Sequence, residues 1–301
     1  MTAETTKARV AVITGTGGLG LEAACMLAAQ GFDVILGGRG AQSGEEAVAR
    51  ICSEVPGAKA TYLPLDLADQ HSIAAFAGQV GAQVSQIDVL INNAGVMSPP
   101  KRVLTRDGYE LQFGVNYLGH FALTGHLLSR LQAGGKARVV NVTSIAHKYG
   151  DLDLDDLQGE RGYHPGISYC KSKLAQAMFT LEFEKRSRER GWGIDAVAAH
   201  PGFSRTNLFR GKDRGKEWTG PILGFVVGHI MGHSAQQGAR SIVHAATAPD
   251  VRGGELYGPS GLFEMRGSPM RRAFAANACN GEKAARLWDI SEGLSGVRFP
   301  D

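Results

Sequence analysis

Short apolar runs separated by segments of helical spacing recur from residue 10 to beyond residue 250, and this alternation limits the fold more than any other feature. The runs are VAVIT (10–14), FDVILGG (32–38), KATYLPLDL (59–67), DVLINNAG (88–95), ARVVNVTS (137–144), IDAVAAHPG (194–202) and GELYGP (254–259), the last after a helix expected at about 235–248. Most are apolar on both faces, as strands of a parallel sheet covered by helices on each side must be. Between the first two lies LEAACMLAAQG (21–31), with Gly31 where a helix stop belongs. Alternating strands and helices predict an α/β fold with a doubly wound parallel sheet.

No internal repeat, low-complexity stretch or Pro/Ser-rich linker divides the 301 residues, so residues 1–301 are expected to form a single domain. The insertion DLDLDDLQGERGYHPG (151–166) is acidic and loop-like. Residues 203–234 break the rhythm and are expected to form a substrate-covering segment. Its apolar stretch Pro221–Met231 suits a lid over the substrate, or a helix packed on the domain or at a subunit contact.

A net charge of +3, without a clustered basic stripe, gives no reason to propose nucleic acid as a partner. Cys25, Cys52, Cys170 and Cys279 are widely spaced and match neither a zinc pattern nor a disulfide framework. No His/Asp/Glu cluster has metal spacing, so no metal is expected. The N-terminus lacks a signal-peptide pattern. The longest apolar stretch, 222–231, is about half of a membrane span. A cytoplasmic location with reduced thiols is the expectation.

After the first strand comes Gly15-Thr16-Gly17-Gly18-Leu19-Gly20, a GxGxxG pattern opening a helix. Glycines allow a tight turn and close approach of backbone to a pyrophosphate, which the free N–H groups and dipole of the helix attract. By itself the pattern could be only a flexible turn; its place between first strand and first helix points to a Rossmann-type dinucleotide site. At the end of the second strand an acid would hold the adenosine ribose and repel a 2′-phosphate. The chain has Gly38-Arg39 there, with no acid before Glu45. Arg39 can pair a 2′-phosphate bidentately, which favours NADP(H), unless it is an ordinary surface arginine.

Tyr169 and Lys173 are four residues apart, on one face of the helix they are expected to begin. A free tyrosine has a pKa of about 10, and a nearby lysine cation is expected to lower it into a useful range. A tyrosine and lysine at this spacing are common by chance. They gain weight from Ser144, which ends a strand and can donate to a carbonyl oxygen. Asn116, expected mid-helix, and Asn92-Asn93-Ala94-Gly95, ending the fourth strand, add to the set. Strand carboxyl ends are where open α/β sheets bind ligands.

Taken together, the glycine loop, Asp66-Leu67, Asn92–Gly95, Asn116, Ser144, Tyr169–Lys173 and Pro201-Gly202 resemble the short-chain dehydrogenase/reductase family from about residue 8 to residue 260. The resemblance implies that Asn116, Ser144, Tyr169 and Lys173 are catalytic, Tyr169 and Lys173 also touching the cofactor. It implies that Asp66, Leu67, Asn93, Ala94 and Gly95 line its adenine and ribose side. Pro201, Gly202, Ser204 and Thr206 would lie beside the nicotinamide carboxamide. GLEAA, GVNYLGHFALT, SYCKSKLA, HPGFSRTNL and SAQQGARS are similar to the retinol-dehydrogenase-like branch, which includes relatives of light-dependent protochlorophyllide reductase; its Arg after the second strand agrees with Arg39. One departure is the glycine loop: the family pattern TGxxxGxG is one residue shorter here, TGTGGLG, which is expected to shift the phosphate contacts.

The activity implied is hydride transfer between NADP(H) and a carbonyl/alcohol pair, the substrate being a lipophilic aldehyde, ketone or secondary alcohol. Tyr169 would act as acid/base, recharged by Lys173 and a water held by Asn116. Reduction of a conjugated C=C bond, or a non-catalytic NADP(H)-sensing role, are the alternatives. The apolar helices expected near 106–131 and 165–188 are those through which the resembled family dimerises, so a homodimer or homotetramer is expected. His120 and His126 are read as core or interface packing and Cys170 as a small packing residue. His147 either edges the substrate pocket or is a plain loop histidine.

Overall fold

The computed structural model describes residues 8–202 and 234–300. Seven parallel strands and one antiparallel edge strand form a sheet ordered β3-β2-β1-β4-β5-β6-β7-β8. They are β1 (Arg9–Thr14), β2 (Phe32–Gly38), β3 (Ala60–Pro64), β4 (Val89–Asn92), β5 (Ala137–Val142), β6 (Ile194–Ala199), β7 (Leu256–Pro259) and β8 (Pro269–Arg272). The strand order reverses between β1 and β4, which opens a crevice above their carboxyl ends.

The period-2 alternation of side chains along each strand builds two cores. In β1, Val10 and Val12 face one core while Ala11 and Ile13 face the other. The first core lies under α3 (Gln70–Gln83), α4 (Gly119–Gln132) and α5 (Pro165–Glu189). The second lies under α1 (Gly18–Ala29), α2 (Ala41–Glu54) and α6 (Ala235–Thr247).

Local chemistry explains where the helices start and stop. Asp69 caps α3 by accepting from His71 N at 2.9 Å and Ser72 N at 3.4 Å. α5 has Pro165 in its first turn, where no amide hydrogen is needed, and His164 as its cap. Ser234 and Gln237 form a reciprocal capping box at the start of α6. α1 stops at Ala29, and Gly31 takes the left-handed conformation at φ 81° that turns the chain into β2.

Two elements were not expected. One is the edge strand β8. The other is α7 (Gly281–Ser295), which is followed by a tail whose Val297 and Phe299 are buried. Trp288 of α7 meets Phe121 of α4 at 5.1 Å between ring centroids and Phe299 at 4.6 Å. Phe299 in turn stacks on Trp192 and lies edge-on to Phe183 of α5. Gly125 makes room for the tail, since a Cβ there would sit 2.5 Å from Val297. Between Ser172 and Glu184 every residue of α5 except Leu181 is buried within the single chain. The helices expected to carry a subunit contact are thus covered by the chain's own C-terminal segment. The expected substrate-covering segment at 203–234 lies, but for Ser234, outside the described residues. No helix among the described residues is long and apolar enough to cross a membrane.

Candidate active site

A cavity of about 600 Å³ runs along the crevice from the glycine loop to the start of α5. At one end it is lined by Gly15, Thr16, Gly17 and Leu19, with Arg39 and Ser43 across from them. Asp66, Leu67 and the Asn93–Met97 loop form its middle; Ser144, Tyr169, Lys173, Pro201 and Gly202 close the far end. Ser204 and Thr206 lie outside the described residues.

The glycine-loop end suits an anion. Helix α1 begins after an extended Gly17 and has no side-chain cap, so its first amides are left for a ligand. Gly15 turns the chain at φ 100°, a conformation that favours glycine. Gly20 does not line the cavity, contrary to expectation. Its hydrogen packs against the loop, where a Cβ would come within 2.6 Å of Asn93 Nδ2 and 2.7 Å of the Gly15 carbonyl. Its role is close approach of helix to strand, not contact with a ligand. Gly38 has a similar reason, a Cβ there meeting Thr16 Cγ2 at 2.7 Å. Arg39 is exposed at the mouth beside Ser43, whose hydroxyl donates to the Gly40 carbonyl at 2.9 Å. Ser43 was missed by sequence reasoning because nothing before folding places α2 against the end of β2.

At the other end, Lys173 is buried and its Nζ donates to the Val142 carbonyl at 3.0 Å and to Gln176 Oε1 at 2.8 Å. Nζ stands 5.7 Å from the centre of the Tyr169 ring. Ser144 Oγ takes the Ala146 amide at 3.2 Å and lies near enough to the Tyr169 hydroxyl to oppose the effect of burial on it. Thr143 Oγ1 donates to the Lys173 carbonyl at 2.9 Å, so β5 and α5 are held in register at the reacting end. Burial pushes the Tyr169 phenol up to about 12 against the opposing effect of Ser144, and pushes the Lys173 ammonium down to about 7. The sequence expectation of a Tyr169 pKa brought into a useful range by Lys173 is therefore corrected for the protein by itself, where desolvation outweighs any lowering by the lysine.

Asn116 departs further from expectation. It lies not in regular α-helix but in one widened π-helical turn, Phe113–Leu118, leading into α4. Its side chain does not line the cavity. Oδ1 accepts from Val96 N at 2.7 Å, while Nδ2 donates to Val96 O at 3.0 Å and to Ser172 Oγ at 2.9 Å. With those groups committed, Asn116 shapes the Asn93–Val96 loop instead of offering its amide to a water beside Lys173. His147 is likewise no pocket residue. It is buried, with Nδ1 2.7 Å from the Ser144 carbonyl and Nε2 taking the Ala275 amide at 3.3 Å.

A buried polar group unforeseen in the sequence props the cavity floor near Pro201. His200 Nε2 is 3.0 Å from Glu264 Oε2, and Lys148 bridges the other carboxylate oxygen at 2.6 Å. The His200 ring beside it, helped by Lys148, holds the Glu264 carboxyl down at about 2. Among the described residues no group of three or more His, Cys, Asp or Glu is placed to hold a metal.

A doubly wound sheet with serine, tyrosine and lysine at the switch-point crevice defines a dinucleotide-dependent oxidoreductase of a known kind. The family model described as short chain dehydrogenase matches residues 9–217, and the chain belongs to the short-chain dehydrogenase/reductase family. Retinol dehydrogenase 12 of Homo sapiens is 38% identical over 296 residues, covering 97% of this chain and 87% of that protein. Polyprenol dehydrogenase of Mus musculus is 39% identical over 294 residues, covering 95% of this chain and 83% of that protein. The crystal structure of an uncharacterized protein from Mycobacterium paratuberculosis superposes with a TM-score of 0.79 at 37% identity, covering 97% of this chain and 95% of that one.

Proposed function

We propose that the chain transfers hydride between NADP(H) and a carbonyl/alcohol pair, acting on lipophilic aldehydes, ketones or secondary alcohols. The observation that carries the reading is one cavity lined at one end by the glycine loop and Arg39, and at the other by Ser144, Tyr169 and Lys173. The uncapped start of α1 suits the pyrophosphate, and Arg39 with Ser43 suits a 2′-phosphate. Val96, Met97 and Val115 give the cavity an apolar wall, and the names of the retinol and polyprenol relatives point the same way.

When bound, NADP(H) supplies the hydride donor or acceptor. In reduction, Ser144 and Tyr169 donate hydrogen bonds to the substrate oxygen, which gathers negative charge as the carbonyl carbon is reduced. Tyr169 Oη passes its proton to that oxygen, and the Lys173 ammonium stabilises the phenolate left behind. Val142 and Gln176 hold Lys173 in reach of this task. In oxidation the same proton travels back to Tyr169.

Steady-state turnover across a panel of lipophilic carbonyls and alcohols, with both nicotinamide cofactors, tests the reading; no turnover with any of them would overturn it. Arg39→Ala should raise KM for NADPH roughly tenfold to a hundredfold and leave KM for NADH almost unchanged, the loss expected for a charge-assisted bidentate contact. An equal effect on both cofactors would remove Arg39 from the 2′-phosphate site.

A homodimer or homotetramer in the cytoplasm completes the proposal. Four free thiols suit a reducing compartment. Because α7 and the tail cover α4 and α5, the subunit contact would be built over α7 or on another face. Light scattering should give two or four times the 31.9 kDa chain mass; a single chain mass at micromolar concentration would rule out the assembly.

A further inference from the structure

We propose that His120 is a positioning residue that ties the widened turn carrying Asn116 to the loops on which the cofactor is expected to lie. The inference rests on the oxidoreductase reading of the same cavity. His120 is fully enclosed, 1% exposed, on the first turn of α4. Its Nδ1 is 2.9 Å from the Asn116 carbonyl oxygen. A carbonyl can only accept, so Nδ1 carries the ring hydrogen. Burial holds the imidazole down at about 4, opposed by the Asn116 bond and reinforced by the Lys173 charge, so the ring is neutral near pH 7 and Nε2 is an acceptor.

Nε2 lies 2.9 Å from Thr14 Oγ1, so the Thr14 hydroxyl donates to it. With that hydrogen directed at His120, the hydroxyl oxygen accepts the backbone amides of Asn93 and Ala94, each at 2.9 Å. The other acceptor for the hydroxyl is the Ile91 carbonyl at 3.4 Å, a poorer one. The direction of each hydrogen from Asn116 through His120 and Thr14 to Asn93 and Ala94 is therefore determined. One turn thus holds the Asn93–Val96 loop at both ends: Asn116 grips Val96 directly, and His120 holds Asn93 and Ala94 through Thr14. Thr14 also leads into the glycine loop at Gly15. A packing role would ask only for a shape at residue 120. This place asks for a donor on one side and an acceptor on the other, about a ring's width apart.

The test measures NADPH dissociation constants by fluorescence titration of purified full-length variants, together with kcat well below each variant's melting temperature. His120→Phe keeps a ring and loses both polar contacts; it should weaken NADPH binding about tenfold or more, the usual scale for a buried group left unpaired. His120→Gln, whose amide offers both a donor and an acceptor, should recover most of that loss. His120→Asn keeps a donor near Asn116 but does not reach Thr14. It should show the loss even if the Phe variant does not fold. In a cycle with Thr14→Val, the double variant should bind no more weakly than the worse single one, because both break the same chain of bonds. Wild-type NADPH affinity in His120→Phe or His120→Asn, or losses that multiply in the double variant, would overturn the proposal. Tyr169→Phe measured alongside separates the two claims. Full turnover there would show that another group exchanges the proton, and no turnover by the wild type across the carbonyl and alcohol panel would defeat the oxidoreductase reading, while the NADPH constants still judge His120.

Discussion

Tyr169→Phe should lower turnover by a factor on the order of 10² or more while leaving the fold and NADPH binding intact. The substitution keeps the ring and its packing and removes only the hydroxyl of a residue that lines the cavity together with Ser144. Lys173→Ala should cost a comparable factor, because an ammonium at residue 173 favours a phenolate at residue 169. The sign of the pH effect follows. Alcohol oxidation needs Tyr169 ready to accept a proton, so activity rises with pH on that limb. Burial already holds the phenol up at about 12, and a cation with its Nζ 5.7 Å from the ring centre favours the phenolate, so removing it moves the pKa further up. The limb in Lys173→Ala should therefore move to higher pH. Near-normal turnover in Tyr169→Phe, with cofactor bound normally, would show that another group exchanges the proton.

The second large effect concerns stability and lies far from the cavity. Trp288→Ala should destabilise the protein by about 3–5 kcal/mol, the range for removing a large aromatic from a packed core. Trp288 is 1% exposed and lies against Phe121, Phe179, Phe183 and Phe299, with the Arg186 guanidinium 4.5 Å from its ring centre. Relaxation cannot fill that space cheaply, because all of these aromatic neighbours except Phe299 belong to two helices packed on the sheet. The effect should appear as a lower denaturant midpoint with an unchanged slope. An unfolding free energy within about a few tenths of a kcal/mol of the wild type would show that α7 contributes little to the core.

Most of the sheet was legible in the sequence because parallel strands buried on both faces are continuous apolar runs. β2 was placed to the residue, while β3 ends at Pro64, three residues before the end of the run expected to contain it. β8, read as PMRR, has no apolar alternation and becomes a strand only by pairing with β7. The site was legible where chemistry sits at strand ends: Ser144, Asn93 and the glycine loop follow directly from β5, β4 and β1. What escaped depends on contacts between distant segments. The widened turn at Asn116 lies in FGVNYL, whose composition suits an ordinary helix. The burial that shifts Tyr169 and Lys173 comes from the packed chain around them and leaves no local mark. The pairing of His120 with Thr14 spans 106 residues and no periodicity reports it.

The C-terminal cover over α4 and α5 also has a consequence for how the chain is made. A ribosome delivers the N-terminal segments first, at about 5–20 residues per second. The strands and the helix bearing Tyr169 and Lys173 therefore emerge before Trp288 and Phe299 exist. Until residues 281–299 have been made, the aromatic face formed by Phe121, Phe179 and Phe183 lacks the Trp288 and Phe299 rings that pack on it. Chains cut between β8 and α7 would keep all eight strands and expose an adhesive aromatic flank, substrates for chaperones before they are enzymes.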